Sequence, residues 1–379
     1  MNQTHIKQDY LSVYEGKTIL ITGSVGTVGS ELLKQVMAYR PAEIRLFDSY
    51  ESGLFMQIQT CRSGVRVLPV LGDIRDLGKL QSVMDGVDIC FHLAAYKHVY
   101  LCEHNPFDSV RTNVIGTQNV LKAALASNVK RFLYTSSDKA VNPTSVMGTS
   151  KLLAERVVTA ASMQCHNGHN HRVFCTTRFG NVLGSNGSVV EVFKEQIKYG
   201  GSVTVTHDQM TRFIMTVQEA ARLIIKAVAL ACGGEVFVTK MPTVRIIDLA
   251  EAMIELLAPL YDYQSKEISI QYIGPRPGEK LYEELMSEEE TTRAIELKEM
   301  FSILPALRES YNGIEYNYPC MVSEKVSKPY ISKNEKTMTK EEVITYLLTN
   351  NILGEDLTLC VIRNKKKIQP YFEVQYKNL

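Results

Sequence analysis

The segment "KTILITGSVGTVGSELLKQVMAY" constrains the fold more than any other part of the chain. A β-branched, apolar run, Thr18 to Thr22, meets a glycine-rich turn. Helical spacing follows at Leu32, Leu33, Val36 and Met37, which together predicts strand, turn and helix. Gly23, Gly26 and Gly29 have the spacing that permits a tight turn, close approach of a diphosphate to the backbone and close helix–strand contact. The N–H groups that open the helix then face the phosphates.

The pattern recurs. "EIRLFD" ends at Asp48 and "VRVLPVLGD" at Asp73; "VDICFHLAA" runs past Ala94 and "KRFLYTSSD" past Ser137, with helical patterns between them. This alternation predicts an α/β fold built on a doubly wound parallel sheet, in which ligands bind outside the carboxyl ends of the strands. Gly23, Asp48, Asp73, Ala94 and Ser137 all fall at those ends. Asp48 lies 19 residues beyond Gly29, where a carboxylate accepts both ribose hydroxyls of NAD. The "SYESG" that follows holds no Lys or Arg, so NAD is favoured over NADP.

Bulk properties exclude other classes. The chain has 379 residues, 45% hydrophobic and 22% charged, with a formal net charge of +1, which suits a globular protein and gives no electrostatic footprint for nucleic acid. No apolar run reaches the ~18–20 residues needed to cross a bilayer, and the first residues lack a signal-peptide pattern. The eight cysteines show no C-x-x-C spacing, so free thiols in a reducing cytoplasm are expected, with neither disulfide nor metal site. His166, His169 and His171 fall on a polar turn and are read as loop residues.

The most telling stretch is "SSDKAVNPTSVMGTSK", Ser136 to Lys151. It resembles the active-site segment of short-chain dehydrogenases, in which a Ser or Thr precedes Tyr-x-x-x-Lys. Here Met147 stands at the Tyr position, and a thioether moves no proton. Two ionisable residues, Asp138 and Lys139, directly follow Ser137.

With "HLAAYKHVYLCEHNP", "TNVIGTQNV", "RFGNVLGSNGSV", "VTVTHDQMTRFIMT" and "GPRPGEKLYEEL", the chain resembles the extended short-chain dehydrogenase family from residue 15 to about 305. More narrowly it is similar to the UDP-N-acetylglucosamine 4,6-dehydratases of surface-glycan synthesis, including a subgroup with Met at the Tyr position. The resemblance implies a Rossmann sheet over residues 1–180, to which later segments return. A smaller, interleaved nucleotide-sugar-binding lobe would occupy mainly 181–319, followed by an extension, 320–379, of unknown role. It implies an NAD-dependent lyase that oxidises C4 of UDP-N-acetylglucosamine, eliminates water across C5–C6 and returns the hydride to C6.

Residue by residue, the resemblance gives a cofactor-binding set of Gly23, Gly26, Val28, Gly29, Asp48, Asp73, Ile74, Ala94, Asn113 and Lys151. The catalytic set is Ser137, Asp138, Lys139, Met147 and Lys151. Asp138 is the acid for the C6 hydroxyl, Lys139 the base for C5, and Ser137 the hydroxyl near O4. A lysine with an ordinary pKa of ~10.4 is a poor base at neutral pH, so burial or nearby positive charge must act on it. Asn181, Ser188, Arg212, Arg276 and Glu279 hold the nucleotide sugar, and Pro275 and Pro277 stiffen the loop around Arg276. Lys97 is read either as a sugar or diphosphate contact or as a solvated loop lysine. The O4 proton leaves through Asp138, a water or a ribose–Lys151 relay, and the C5 configuration of the product stays open. A homo-oligomer, dimer or higher, is expected.

Two other functions compete. An epimerase or reductase of this fold depends on the tyrosine that Met147 replaces. A non-catalytic NAD(H)-binding regulator has no use for the Asp138–Lys139 pair. In the extension, "TKEEVITYLLTNNIL" predicts a capped amphipathic helix, and "NKKKIQPYFEVQYKNL" reads as a strand, a subunit contact or a packing arm.

Overall fold

A computed structural model describes residues 10–61, 64–166, 172–307, 311 and 314–354. His166, expected in a loop, is the last residue of the helix Val146–His166, while His169, His171 and the last stretch, "NKKKIQPYFEVQYKNL", lie outside the described residues. The chain forms two units. The first takes residues up to Phe179, Gln218–Lys240 and Glu284–Tyr330; the second takes Gly180–Val217, Met241–Glu283 and the segment from Ile331 onward.

The first unit is built on β1 (Thr18–Thr22), β2 (Glu43–Asp48), β3 (Arg66–Leu71), β4 (Ile89–His92), β5 (Arg131–Ser137) and β6 (Val173–Phe179). They lie in the order β3-β2-β1-β4-β5-β6, all parallel. Val236–Thr239 continues the sheet in parallel beside β6. Met300–Ile303, Ala294–Leu297 and Met321–Ser323 then extend it antiparallel. The strand order reverses at β1, the switch point where such sheets bind ligands.

Alternate side chains face opposite layers, because strand side chains have a period of two. Ile19, Ile21, Phe91, Leu133 and Cys175 pack on one face with Leu32, Leu33 and Val36 of the helix Thr27–Met37 and with Ile224 and Val228. Leu20, Cys90, Phe132, Tyr134 and Phe174 pack on the other with Leu80, Val120, Leu121, Ala154 and Val158. The edge strand β3 is half exposed and carries Pro69, which suits a strand with a free side.

In the second unit Asn181–Val182, Thr211–Met215 and Thr243–Arg245 form a small sheet, and Val203–Val205 pairs with Ile270–Tyr272. The helices Val189–Lys198, Ile246–Leu257 and Lys340–Thr349 share a separate apolar core with them. Thr339 opens the last helix with the capping box expected for "TKEE": its hydroxyl accepts from the Glu342 N–H, and the Glu342 carboxylate accepts from the Thr339 N–H.

No helix among the described residues is long and apolar enough to cross a membrane. The described cysteines are free thiols, and no group of three metal-ligating side chains is found among the described residues.

Candidate active site

The glycine turn after β1 needs its glycines for space. Gly23 has φ +69°, and a Cβ there would meet the Ala94 nitrogen at 2.7 Å; one at Gly29 would meet the Gly23 oxygen at 2.3 Å. Gly26 is the N-cap residue of Thr27–Met37, so no side chain caps the helix that carries Val28 and Gly29. The uncapped N–H groups and the bare turn fit a dinucleotide diphosphate. The Asp48 carboxylate accepts from Val25 N and Tyr50 N, both at 3.0 Å, so it fixes the turn and keeps lone pairs for a ribose.

Asp73 lies two residues beyond β3 and is chelated by Arg75. Hydrogen bonding to that guanidinium holds its carboxyl below the usual range. Ile74 is buried against Gly116. The Asn113 carboxamide accepts from Tyr96 N at 2.8 Å and donates to Tyr96 O at 3.0 Å and to Ser150 Oγ at 2.9 Å. Asn113 therefore ties the loop after β4 to the helix Val146–His166. Lys97, next in that loop, is exposed.

β5 ends at Ser137 in a tight turn, Asp138–Ala140, and the side chains of Ser137 and Lys139 both reach Asp138. Ser137 Oγ donates to Asp138 Oδ1 at 2.6 Å, and Lys139 Nζ donates to the same oxygen at 2.9 Å. Lys139 N donates to Ser137 Oγ at 3.2 Å. The Asp138 side chain is fully buried, and its Oδ2 has no hydrogen-bond partner among the described residues. A buried acceptor in that state is costly, and functional sites are where such a cost is carried.

The helix Val146–His166 docks directly on this turn. A Cβ at Gly148 would meet the Lys139 oxygen at 2.2 Å, so only glycine permits the approach. Ser145 Oγ accepts from Gly148 N, and Glu103 Oε1 accepts from Val146 N, which satisfies two N–H groups of the first turn. Met147 is buried, with its carbonyl accepting from Ser150 Oγ. Lys151, one turn on, is buried too. Its Nζ donates to Thr135 O at 3.0 Å and sits 4.9 Å from the centre of the Tyr134 ring. Burial pulls its pKa down to about 8.

His92, at the end of β4, was not singled out in the sequence. Thr117 Oγ1 donates to Asn113 O, which leaves it to accept from His92 Nε2; Nδ1 then accepts from Thr22. Burial, reinforced by Lys151, lowers the ring's pKa to about 3, so it is a neutral peg between β1 and the Asn113 segment. Arg178 and Glu155 were missed as well. A charged residue inside the apolar strand "VFCTTRFG", and a Glu four residues beyond Lys151, were the available signals.

In the second unit, Asn181 Nδ2 donates to Phe213 O at 3.2 Å, and Ser188 precedes the helix Val189–Lys198 without capping it. Arg212 is buried, and its guanidinium donates to the carbonyls of Thr211, Lys280 and Leu281. It braces the loop that carries Arg276 and Glu279. Arg276 is exposed, and its N–H donates to Glu279 Oε2 at 3.4 Å, while Thr206 Oγ1 reaches the same oxygen.

A parallel sheet of this order, with a bare glycine turn at its switch point, defines a Rossmann-type α/β fold, and a Ser-Asp-Lys cluster stands at the end of its β5. Residues 19–305 match the family described as polysaccharide biosynthesis protein, and the chain belongs to that family. It is 46% identical over 336 residues to an uncharacterized membrane protein of Methanocaldococcus jannaschii, covering 89% of this chain and 96% of the relative. The capsular polysaccharide biosynthesis protein CapD of Staphylococcus aureus is 44% identical over 72% of this chain, which spans 46% of CapD's length. A UDP-glucose 4-epimerase of Rickettsia akari is 36% identical, covering 91% of this chain and 99% of the relative. Among solved structures, Pen from Bacillus thuringiensis superposes with a TM-score of 0.82 at 39% identity, covering 89% of this chain and 99% of Pen.

Proposed function

We propose that the protein is an NAD-dependent 4,6-dehydratase of UDP-N-acetylglucosamine. The observation that carries this reading is the hydrogen-bonded Ser137–Asp138–Lys139 cluster, next to a helix that buries Met147 where a phenol would otherwise stand. Bound nicotinamide supplies reversible acceptance of the C4 hydride. Lys151 holds the nicotinamide ribose, and Gly23, Gly26 and Asp48 hold the diphosphate and the other ribose.

Asp138 and Lys139 supply the elimination. One proton shift along their 2.9 Å hydrogen bond converts the ion pair into an amine and a carboxylic acid, the forms the step needs. Lys139 Nζ then takes the C5 proton while Asp138 gives its proton to the departing C6 hydroxyl. The elimination leaves the pair ionised; as the hydride returns to C6, Lys139 gives the proton back to C5, and the proton lost from O4 then recharges Lys139, replacing the one that left with water. Arg276 and Glu279, on the loop braced by Arg212, are proposed to hold the nucleotide. A homo-oligomer is proposed over the helical segments that expose Phe107, Val110, Ile115 and Leu153.

The second reading, a nucleotide-sugar 4-epimerase, is favoured by the relatives that bear that name. Incubation with UDP-N-acetylglucosamine and no added reductant separates the two. A product lighter by one water supports the dehydratase. Unchanged mass with altered stereochemistry supports the epimerase, and no conversion contradicts both.

A further inference from the structure

Glu155 lies one helical turn beyond Lys151 and is almost fully buried. Both of its oxygens are taken by Arg178 of β6, Oε1 by Nε at 2.8 Å and Oε2 by Nη2 at 2.7 Å. The other edge of the guanidinium is taken by Glu290, with Nη1 to Oε2 at 2.9 Å and Nη2 to Oε1 at 2.8 Å. Nη1 also donates to Leu285 O at 3.2 Å, so all five N–H donors of a buried arginine are spent. Glu290 in turn closes the capping box of the short helix Glu288–Thr291. Two carboxylates on one guanidinium leave one net negative charge inside the protein. Arg293, 3.8 Å from Glu290, is itself paired with Glu289. Well-packed apolar residues often stabilise a core as well as such an array does, so stability alone is a weak reason for it.

We propose that Glu155, Arg178 and Glu290 are positioning residues for Lys151: they lock the helical turn that carries it and set the negative charge facing its ammonium. The proposal rests on the reading of Lys151 as the lysine that holds the nicotinamide ribose. The groups facing Lys151 are Glu155 on its own helix, the Tyr134 ring and Thr135 carbonyl of β5, neutral His92 of β4, and Cys102 of the helix Val99–His104. Burial raises the Cys102 thiol pKa, so Glu155 is the one charged member of this set at neutral pH. Arg178 offsets Glu155, and Glu290 offsets Arg178.

The test compares Glu155→Gln, Glu290→Gln and Arg178→Lys with the native protein. It follows NAD affinity by calorimetry across pH, and single-turnover reduction of NAD by UDP-N-acetylglucosamine across the same range. Loss of the Glu155 charge should lower the Lys151 limb by about one pH unit, as expected for removal of a close opposite charge. Loss of the Glu290 charge, one link further away, should lower it less but in the same direction. Arg178→Lys keeps the charge and breaks the fork, so it should leave the limb in place and slow hydride transfer at least tenfold. Thermal melts establish that each variant folds; should Arg178→Lys not fold, the two Gln variants decide. A Glu290→Gln protein that melts earlier but keeps the native limb and transfer rate overturns the inference, provided Lys151→Ala has lost transfer. A Lys151→Ala protein that keeps native NAD affinity and transfer overturns the underlying reading of the site, and the inference with it.

Discussion

The turn that ends β5 and the helix that follows it each present one lysine to the same part of the first unit, and the two are treated in opposite ways. Lys139 is partly exposed and bonded to a buried carboxylate. Lys151 is buried, makes no direct ion pair among the described residues, and rests on a carbonyl oxygen and an aromatic face. The first arrangement makes a proton easy to pass along a hydrogen bond. The second keeps an ammonium where water cannot solvate it and lets its charge act at close range. Residue type alone therefore does not assign a role; the partner and the burial do.

The largest test of this contrast removes the proton-passing pair. Lys139→Ala is expected to lose about a hundredfold to ten-thousandfold in dehydration, the usual worth of a general base. NAD affinity should stay near native by calorimetry, because Lys139 is not in the cofactor set. Turnover within a few-fold of native would remove Lys139 from the mechanism. Asp138→Asn should stall elimination after C4 oxidation, so reduced-nicotinamide absorbance should rise in a single turnover; a flat trace would count against Asp138 as the acid.

A smaller effect is expected at Met147, which lies between the two lysines in sequence. Its buried site accommodates a flexible apolar chain, and a phenol there should overpack at a cost of ~1–3 kcal/mol. Met147→Leu should match native turnover while Met147→Tyr falls. A rise of more than about tenfold for Met147→Tyr, roughly 1.4 kcal/mol off the barrier, would show that the site still waits for a phenol.

The remaining effect is on stability. The Lys151 pKa drops from 10.5 to about 8 on folding. Between those values the unfolded chain holds a proton that the folded one has released, so this lysine makes stability rise with pH across that window. Below about pH 8 both states are protonated, and the folded state bears the full cost of a buried ammonium. Lys151→Met should flatten this slope and raise the apo melting temperature below pH 8. Parallel melting curves for the two proteins would contradict the burial of the charge.

Much of this was legible in the sequence where the signal is local. The Thr18–Thr22 run and the three glycines specify β1 and its turn without help from elsewhere, and "EIRLFD" delivers Asp48 to the next strand end. Met147 and the Ser137–Lys139 run could be singled out because a known spacing was broken at one position. What stayed hidden depends on distant chain. The guanidinium of Arg212 is taken by the carbonyls of Thr211, Lys280 and Leu281, and nothing in "MTRFIMT" encodes residues 280 and 281. That later segments return to the first unit was implied by the resemblance, but not that Glu284–Tyr330 is one of them: its strands of three or four residues are too short for periodicity to declare. Glu290 could not be joined to Arg178 before the fold brought them together.

In the proposed reaction one site oxidises C4, eliminates water across C5–C6 with Asp138 and Lys139, and reduces C6. UDP-N-acetylglucosamine carrying deuterium at C4 tests it in a single experiment, with the product read by proton and deuterium NMR. The expected product is a 4-keto-6-deoxy sugar with the deuterium at C6. Deuterium retained at C4 of a product that has lost no water would contradict it and identify the protein as an epimerase.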